Sequence, residues 1–276
     1  MYIGIDIGSV STDAVIITDE CTILAWHVIP TGPSFVNAAK MVLENVMADV
    51  GCRREDIRGV VGTGYGRKKV GDGSGVATEI KCHARGAHFL NNDVRTIVDI
   101  GGQDCKVIAL NSNGDVIDFA MNDKCSAGTG RFVDVIARAL DVSLDEMGAM
   151  SLQSTRPTKI SAVCTVFAET EVISKLADDV PRADIIKGIH LSIAARIKSL
   201  LQHVQHAGLY AITGGGGKNI GIVTALEECL GVQFVTYENP QIIGALGAAI
   251  EAKLQFESSS KGALEAKQQL GSHSNA

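Results

Sequence analysis

Apolar positions in this chain first recur in short β-branched runs. Ile3-Gly4-Ile5-Asp6-Ile7-Gly8-Ser9 is followed by Ser11-Thr12-Asp13-Ala14-Val15-Ile16. Later, Ile97-Val98-Asp99-Ile100-Gly101-Gly102 is followed by Gln103-Asp104-Cys105-Lys106-Val107-Ile108. Each pair reads as a strand that ends in an acid, a glycine turn and a second strand. That is a hairpin with a carboxylate at its mouth. Third strands are expected over 23–29 and 115–120, so the pattern predicts an internal duplication of one αβ unit. Between the hairpins it predicts a helix over 35–49, a strand over 57–61, a glycine-rich loop over 62–75 and a helix over 78–90. Beyond them it predicts helices over 128–140, 165–176 and 183–206, with a strand over 159–163 that ends at Cys164. A short buried strand over 209–213 runs into Gly214-Gly215-Gly216-Gly217. A helix over 219–230, a strand over 232–235 and a helix over 241–254 follow. Residues 257–276 are polar, Ser-rich and without period, and are expected to form a mobile tail.

Composition narrows this picture. With 276 residues the chain can form two domains or one bilobed unit. Aromatics make up only 4%, so the core must be built from Ile, Val, Leu and Ala. Thirty glycines against five prolines fit many strand–turn–helix corners. A net charge of −6 gives no basic face for nucleic acid. The first residues lack a charged leader, and no apolar run reaches the roughly 18 residues of a membrane helix. A soluble, cytoplasmic protein without a membrane partner is expected. There its seven cysteines are small buried residues rather than a disulfide framework.

Three turns have the makings of phosphate sites. They span 6–12 (Asp6, Gly8, Ser9, Ser11, Thr12), 99–106 (Asp99, Gly101, Gly102) and 213–219 (Gly214, Gly215, Gly216, Asn219). Glycine lets backbone amides close around an anion, and the hydroxyls add donors. Asp6 and Asp99 are suited to hold Mg²⁺ through water. Neither GxxxxGK[ST] nor GxGxxG is present. The set resembles the ATPase superfamily of sugar kinases, actin and heat-shock chaperones. That resemblance implies an α/β, duplicated actin-like ATPase fold of two lobes, each a mixed sheet flanked by helices, closing on a nucleotide. Residues 1–94 would form the first lobe and 95–256 the second, the helix over 241–254 packing back on the first. The turns at 6–12 and 99–106 would be its phosphate loops, 214–219 its adenosine loop, and Gly244-Ala245-Leu246-Gly247-Ala248-Ala249 a tightly packed hinge helix.

Two cysteines stand apart. Cys125 precedes Ser126-Ala127-Gly128-Thr129-Gly130, and Cys164 precedes Thr165, so both lie at predicted helix N-termini, where a thiolate is favoured. Two thiolates are too few for an iron–sulfur cluster or structural zinc, which take four ligands. A second copy of the chain is the simplest completion, a nearby His or Cys the alternative. Cys82 and Cys105 have no partner at metal-binding spacing. Cys21, Cys52 and Cys229 read as structural or surface thiols, and His83 as a packed helix residue.

The strings NDKCSAGTGRF and SAVCTVFAETEVISKL, with VDIGGQDCKVI, GTGYGR, TEIKCHARGA and IIKGIHLSIAARI, resemble the activators of 2-hydroxyacyl-CoA dehydratases and their benzoyl-CoA reductase relatives. The match covers residues 1 to about 254. It implies a homodimer with one [4Fe–4S] cluster held by Cys125 and Cys164 of each copy. It also implies ATP hydrolysis with Mg²⁺ and one low-potential electron passed to a partner iron–sulfur dehydratase or reductase, with ferredoxin or flavodoxin as the source. A double-cubane cluster reductase is another partner the resemblance allows. Ser126 stands where the family commonly has Ala, and Gly216-Gly217 depart from its usual GGVAxN loop. Asp104 and Gln103 are the candidates for orienting the attacking water. Glu169 and Glu171 are expected to complement the dipole of the helix after Cys164. A small-molecule kinase without a cluster and a zinc-bridged regulatory ATPase are the competing functions.

Overall fold

The computed structural model describes residues 1–71, 73–122, 126–161 and 164–273, with side chains to 260. In chain order its elements are β1 (Tyr2–Ile7), β2 (Ser11–Ile17), β3 (Ile23–Pro30), α1 (Phe35–Val50), β4 (Gly59–Gly64), β5 (Gly75–Val76) and α2 (Glu79–Leu90). Next come β6 (Val94–Ile100), β7 (Cys105–Leu110), β8 (Val116–Asn122), α3 (Gly130–Leu140), α4 (Leu144–Ser151), α5 (Thr165–Ala177) and α6 (Arg182–Leu201). The chain ends with β9 (Leu209–Thr213), α7 (Ile220–Leu230), β10 (Phe234–Val235) and α8 (Ile243–His273).

Two compact units result. One comprises Met1–Gly86 with the C-terminal helix from Gly244 onward, the other Ala87–Ile243. The division lies inside α2 rather than at 94/95, because a continuous helix carries the chain through it and leaves no turn signal there. Each unit has a five-stranded mixed sheet, in the order β3-β2-β1-β4-β5 in the first and β8-β7-β6-β9-β10 in the second. The hairpins are antiparallel and the added strands parallel in both. The duplication expected from the two hairpins is therefore complete at the level of topology.

In the first unit Ile3, Ile5, Ile7, Ala14 and Ile16 pack against Ala39, Val42 and Val46 of α1. The four-residue spacing of Ala38, Val42 and Val46 keeps one helix face on the sheet. Ser34 caps α1 by accepting the Asn37 N–H at 3.3 Å, and Gly51 ends it in the left-handed region. In the second unit Val98, Ile100 and Val107 meet Ile136 of α3, Ile189, Ile193 and Ile197 of α6, and Ile222 and Leu226 of α7. Each fully buried isoleucine contributes roughly 1.5–3 kcal/mol.

Several elements depart from the sequence pattern. Residues 159–161 form no strand, because the Ser161 N–H donates to the Glu171 carboxylate instead of a ladder partner. Helix α6 stops at Leu201 rather than 206; beyond it the Gln205 N–H is captured by Asp118 at 3.0 Å. Helix α4 is unexpected, although its capping box, Ser143 with Glu146, is readable as S-x-x-E. The segment expected to be an aperiodic tail continues α8 to His273; its Ala, Leu, Glu, Lys and Gln are good helix formers and no proline interrupts them. Among the described residues no helix is long and apolar enough to cross a membrane.

Helix α8 lies close on its unit through small residues. A Cβ at Gly247 would overlap the Cys82 carbonyl of α2. Gly247→Ala is therefore expected to lower the thermal midpoint by several degrees, an overpacking cost of about 1–3 kcal/mol. Intrinsic helix preference would raise stability by up to about 1 kcal/mol. The sign of the shift in a thermal melt thus decides whether the close approach is real.

Candidate functional site

The site residues of the first unit gather at the end of β1. Asp6 is the register partner of Asp13 on β2 and of Thr63 on β4. The turn that follows is tight: the Gly8 N–H donates to the Ser11 carbonyl at 2.9 Å. Thr12 is buried, and its hydroxyl meets that of Thr31 at 2.9 Å; Thr31 in turn donates to the Gly8 carbonyl at 2.8 Å. Thr12 thus braces the turn from below, while Ser9 and Ser11 are half-exposed on it. Asp6 is buried, with His83 Nε2 3.8 Å from its carboxylate. His83 is a packed helix residue facing an acid.

In the second unit Asp99 has the same two register partners, now Lys106 on β7 and Thr213 on β9. Lys106 Nζ lies 3.2 Å from Asp99 Oδ2 and 2.9 Å from Asp104 Oδ2, and Thr213 donates to Asp99 Oδ1 at 2.9 Å. Lys106 and Asp99 are each 1% exposed and Asp104 3%. Gly101 and Gly102 form the turn, closed by the Gly101 N–H on the Asp104 carbonyl at 3.0 Å. Gln103 is exposed at its tip, so the two residues expected near an attacking water have opposite environments.

A second glycine turn completes each unit. Thr63-Gly64-Tyr65-Gly66 at the end of β4 matches Thr213-Gly214-Gly215-Gly216 at the end of β9. Gly64 has φ +79° and Gly214 φ +78°. A Cβ would come within 2.6 Å of the Ile7 carbonyl at Gly64 and 2.5 Å of the Ile100 carbonyl at Gly214. Sequence reasoning read 62–75 as a glycine-rich loop and quoted GTGYGR, but gave a nucleotide role only to the second turn; the shared Thr-Gly-x-Gly was the signal for the first. Gly215–Lys218 close into a 3-10 turn, with Gly216 buried and Gly215 exposed. Asn219 caps α7, its Oδ1 accepting the Gly221 and Ile222 N–H groups at 3.0 and 3.2 Å. Its Nδ2 lies 3.5 Å from His190 Nε2, while His190 Nδ1 meets Ser151 Oγ at 2.9 Å. Burial, then Lys187, holds the His190 pKa down at about 3. His190 was not singled out from sequence, since its partners lie 29 and 39 residues away.

Cys125 lies outside the described residues, and Cys164 is the exposed cysteine among the described ones. Burial pushes Cys82 up to about 12 and Cys105 up to about 11, which keeps both as thiols. Cys164 is the N-cap of α5, and the first bond within that helix runs from the Ala168 N–H to its carbonyl at 2.9 Å. The residue after each motif cysteine meets the other: Ser126 Oγ is 3.0 Å from Thr165 Oγ1. Glu171 does more than complement a dipole, for it accepts both the N–H and the hydroxyl of Ser161. The start of α3 is also differently employed from the expectation. Its Gly130 and Arg131 N–H groups donate to the Gly101 and Gly102 carbonyls, each at 2.9 Å. These two amides therefore serve the glycine turn rather than an anion at Cys125.

Residues 3–252 match the BadF/BadG/BcrA/BcrD ATPase family. The chain is 46% identical over 253 residues to an activator of lactoyl-CoA dehydratase from Anaerotignum propionicum, covering 91% of this chain and 97% of that one. It is similar to the solved activator of the 2-hydroxyisocaproyl-CoA dehydratase from Clostridium difficile with bound ADPNP. There the TM-score is 0.88 and the identity 42%, over 95% of this chain and 98% of that chain. At 14% identity a ROK family glucokinase from Streptomyces griseus shares the fold alone, with a TM-score of 0.59 over 92% of this chain and 99% of that chain.

Two outcomes follow from the geometry. Lys106→Met strands two buried carboxylates and is expected to cost on the order of 3–5 kcal/mol, read as a lower denaturant midpoint. An unchanged midpoint would show that the three charges are not buried together. For His190, the unfolded ring takes up a proton below about pH 6.5, whereas the folded ring does so only near 3. Between those values the unfolded state binds more protons. Stability should therefore fall as pH is lowered through that window, by up to about 1.4 kcal/mol per pH unit. His190→Gln should flatten the slope in urea titrations between pH 7 and 5.

Proposed function

The chain belongs to the BadF/BadG/BcrA/BcrD ATPase family, and from that membership we propose that it is the ATP-hydrolysing activator of a 2-hydroxyacyl-CoA dehydratase. In this reading ATP hydrolysis drives one low-potential electron to the iron–sulfur partner enzyme, with ferredoxin or flavodoxin as the source. The observation that carries the reading is local. Cys164 is exposed at a helix N-terminus, and its neighbour Thr165 is hydrogen-bonded to Ser126, the residue after Cys125. Cys164 has what a soft-metal ligand needs, an accessible thiol near helix amides.

The described residues fit a shared cluster. An exposed thiol at a helix N-cap can serve as thiolate ligand, and the amides of 165–167 precede the helical ladder of α5, where they favour negative charge. A [4Fe–4S] cluster bound by Cys125 and Cys164 of two copies would supply the one-electron carrier. Val166 and Phe167, 65% and 69% exposed in the turn beside Cys164, give a second copy an apolar surface to cover.

For the nucleotide, Gly8, Ser9 and Ser11 of the first turn and Gly101 and Gly102 of the second supply amides and hydroxyls, and Gly214–Gly216 a close backbone approach. Asp6, whose register partner is the carboxylate Asp13, suits a hydrated Mg²⁺ better than Asp99, whose charge Lys106 already offsets. Gln103, exposed at the turn tip, is the better candidate to orient water. Asp104 instead holds Lys106.

Anaerobic purification tests the reading. The dimer should carry about four irons and four sulfides. Cys164→Ala should lose both while nucleotide affinity is unchanged. A colourless wild-type protein that phosphorylates an added sugar would favour a kinase, and bound zinc a regulatory ATPase.

A further inference from the structure

The second unit contains a continuous hydrogen-bonded path from its first glycine turn to Cys164. The Gly101 and Gly102 carbonyls accept the Gly130 and Arg131 N–H groups at the start of α3. One residue back, Thr129 is fully buried. It donates twice to the Ser126 carbonyl, from its N–H at 3.1 Å and its hydroxyl at 2.6 Å. Ser126 Oγ then meets Thr165 Oγ1 at 3.0 Å, and Thr165 opens α5 directly after Cys164. On its other side Cys164 is tied to the same helix, because Glu171 of α5 holds both the N–H and the hydroxyl of Ser161 at 3.0–3.2 Å. Cys164 therefore moves with α5, and α5 is joined to the glycine turn through Ser126.

The steps of this path differ in strength. Those from Gly101 to Ser126 are backbone amide bonds or bonds to backbone carbonyls, fixed by the fold of one short segment. The step from Ser126 to Thr165 joins two neutral hydroxyls on separate elements, 39 residues apart in sequence. Such a bond has a small net free energy and breaks without leaving a buried charge. A two-state joint needs those properties.

We propose that the Ser126–Thr165 hydroxyl pair is a positioning joint that passes the state of the glycine turn at 101–102 to Cys164. The inference rests on the cluster reading above and adds the residues that would make the cluster sensitive to nucleotide. Coupling of this kind is reciprocal. If nucleotide shifts the cluster's potential, cluster oxidation shifts nucleotide affinity by the same factor. Nucleotide can bias the joint only through its difference in affinity for the two states.

The test uses the anaerobic holoprotein dimer in wild type, Ser126→Ala, Thr165→Val and Thr165→Ser. Reduction potentials are titrated with Mg–ADPNP and with Mg–ADP, and iron release to a chelator is followed in both. The expected result is a nucleotide-dependent potential in wild type and Thr165→Ser. In Ser126→Ala and Thr165→Val the coupling should fall by about five-fold, which is about 40 mV for a one-electron couple. The double variant should be no worse than either single, since both remove one bond. Iron release should accelerate in the same variants by a similar factor. Wild-type coupling in Ser126→Ala and Thr165→Val would overturn the joint, as would Thr165→Ser behaving like Thr165→Val or additive losses in the double variant. A wild-type cluster whose potential ignores nucleotide would overturn the joint and leave the cluster reading standing. A wild type without a cluster would overturn both.

Discussion

In each unit the structure depends on one close approach: a glycine on the inner parallel strand has no room for a side chain, because the end of the central strand occupies that space. Gly64 faces Asp6 and the Ile7 carbonyl; Gly214 faces Asp99 and the Ile100 carbonyl. Both glycines have φ near +80°, which a side chain would strain further. The approach aims the second glycine turn at the same end of the sheet as the hairpin turn. The end of each sheet thus becomes a rim of backbone amides around a carboxylate. Such a rim serves an anion with its cation. A ring of side chains could not come as near.

Around the acids the repetition holds in register but not in chemistry. Across the hairpin from Asp6 stands Asp13, and across from Asp99 stands Lys106. One rim therefore has two acids in register, and the other has its acid neutralised and pinned. Lys106 sits between Asp99 and Asp104, both buried, so it cannot be lost without stranding them. A buried ion pair contributes little net stability. Its use here is to fix the base of the second turn, whose carbonyls carry the start of α3.

Much of this was legible in the sequence, and the failures share a physical cause. The two hairpins, their third strands and the helix over 183 onward stood out because apolar periodicity is a local signal. Helix α4 escaped because Leu144-Asp145-Glu146-Met147-Gly148-Ala149-Met150-Ser151 has a weak apolar stripe. Its end is packed under α6, where Ser151 meets His190. Of the strand expected at 159–163, the described residues 159–161 form none, because Glu171, ten residues on from Ser161, captures its amide; 162 and 163 lie outside the described residues. Some residues also have partners that the sequence reading did not assign. Thr12, expected as a phosphate donor, also braces Thr31; Asn219, expected as a nucleotide contact, also caps α7. The lost strand and the Thr12 brace depend on partners 10 and 19 residues along the chain, which no local pattern encodes, whereas the Asn219 cap is itself a local signal.

The same logic separates the two helices that follow the motif cysteines. Both were expected to aim their N-terminal amides at a bound anion. In α3 the first two amides already serve Gly101 and Gly102, so that helix is part of the glycine turn. In α5 the ladder begins only at Ala168, and Cys164 is its cap, so the amides of that first turn are the ones placed to favour a thiolate or a cluster sulfur. The two ends thus differ: the first amides of α3 are bonded to the glycine turn, and those of α5 precede its helical ladder. A hydroxyl on each side connects them. A methyl in place of the hydroxyl at 126 removes that connection.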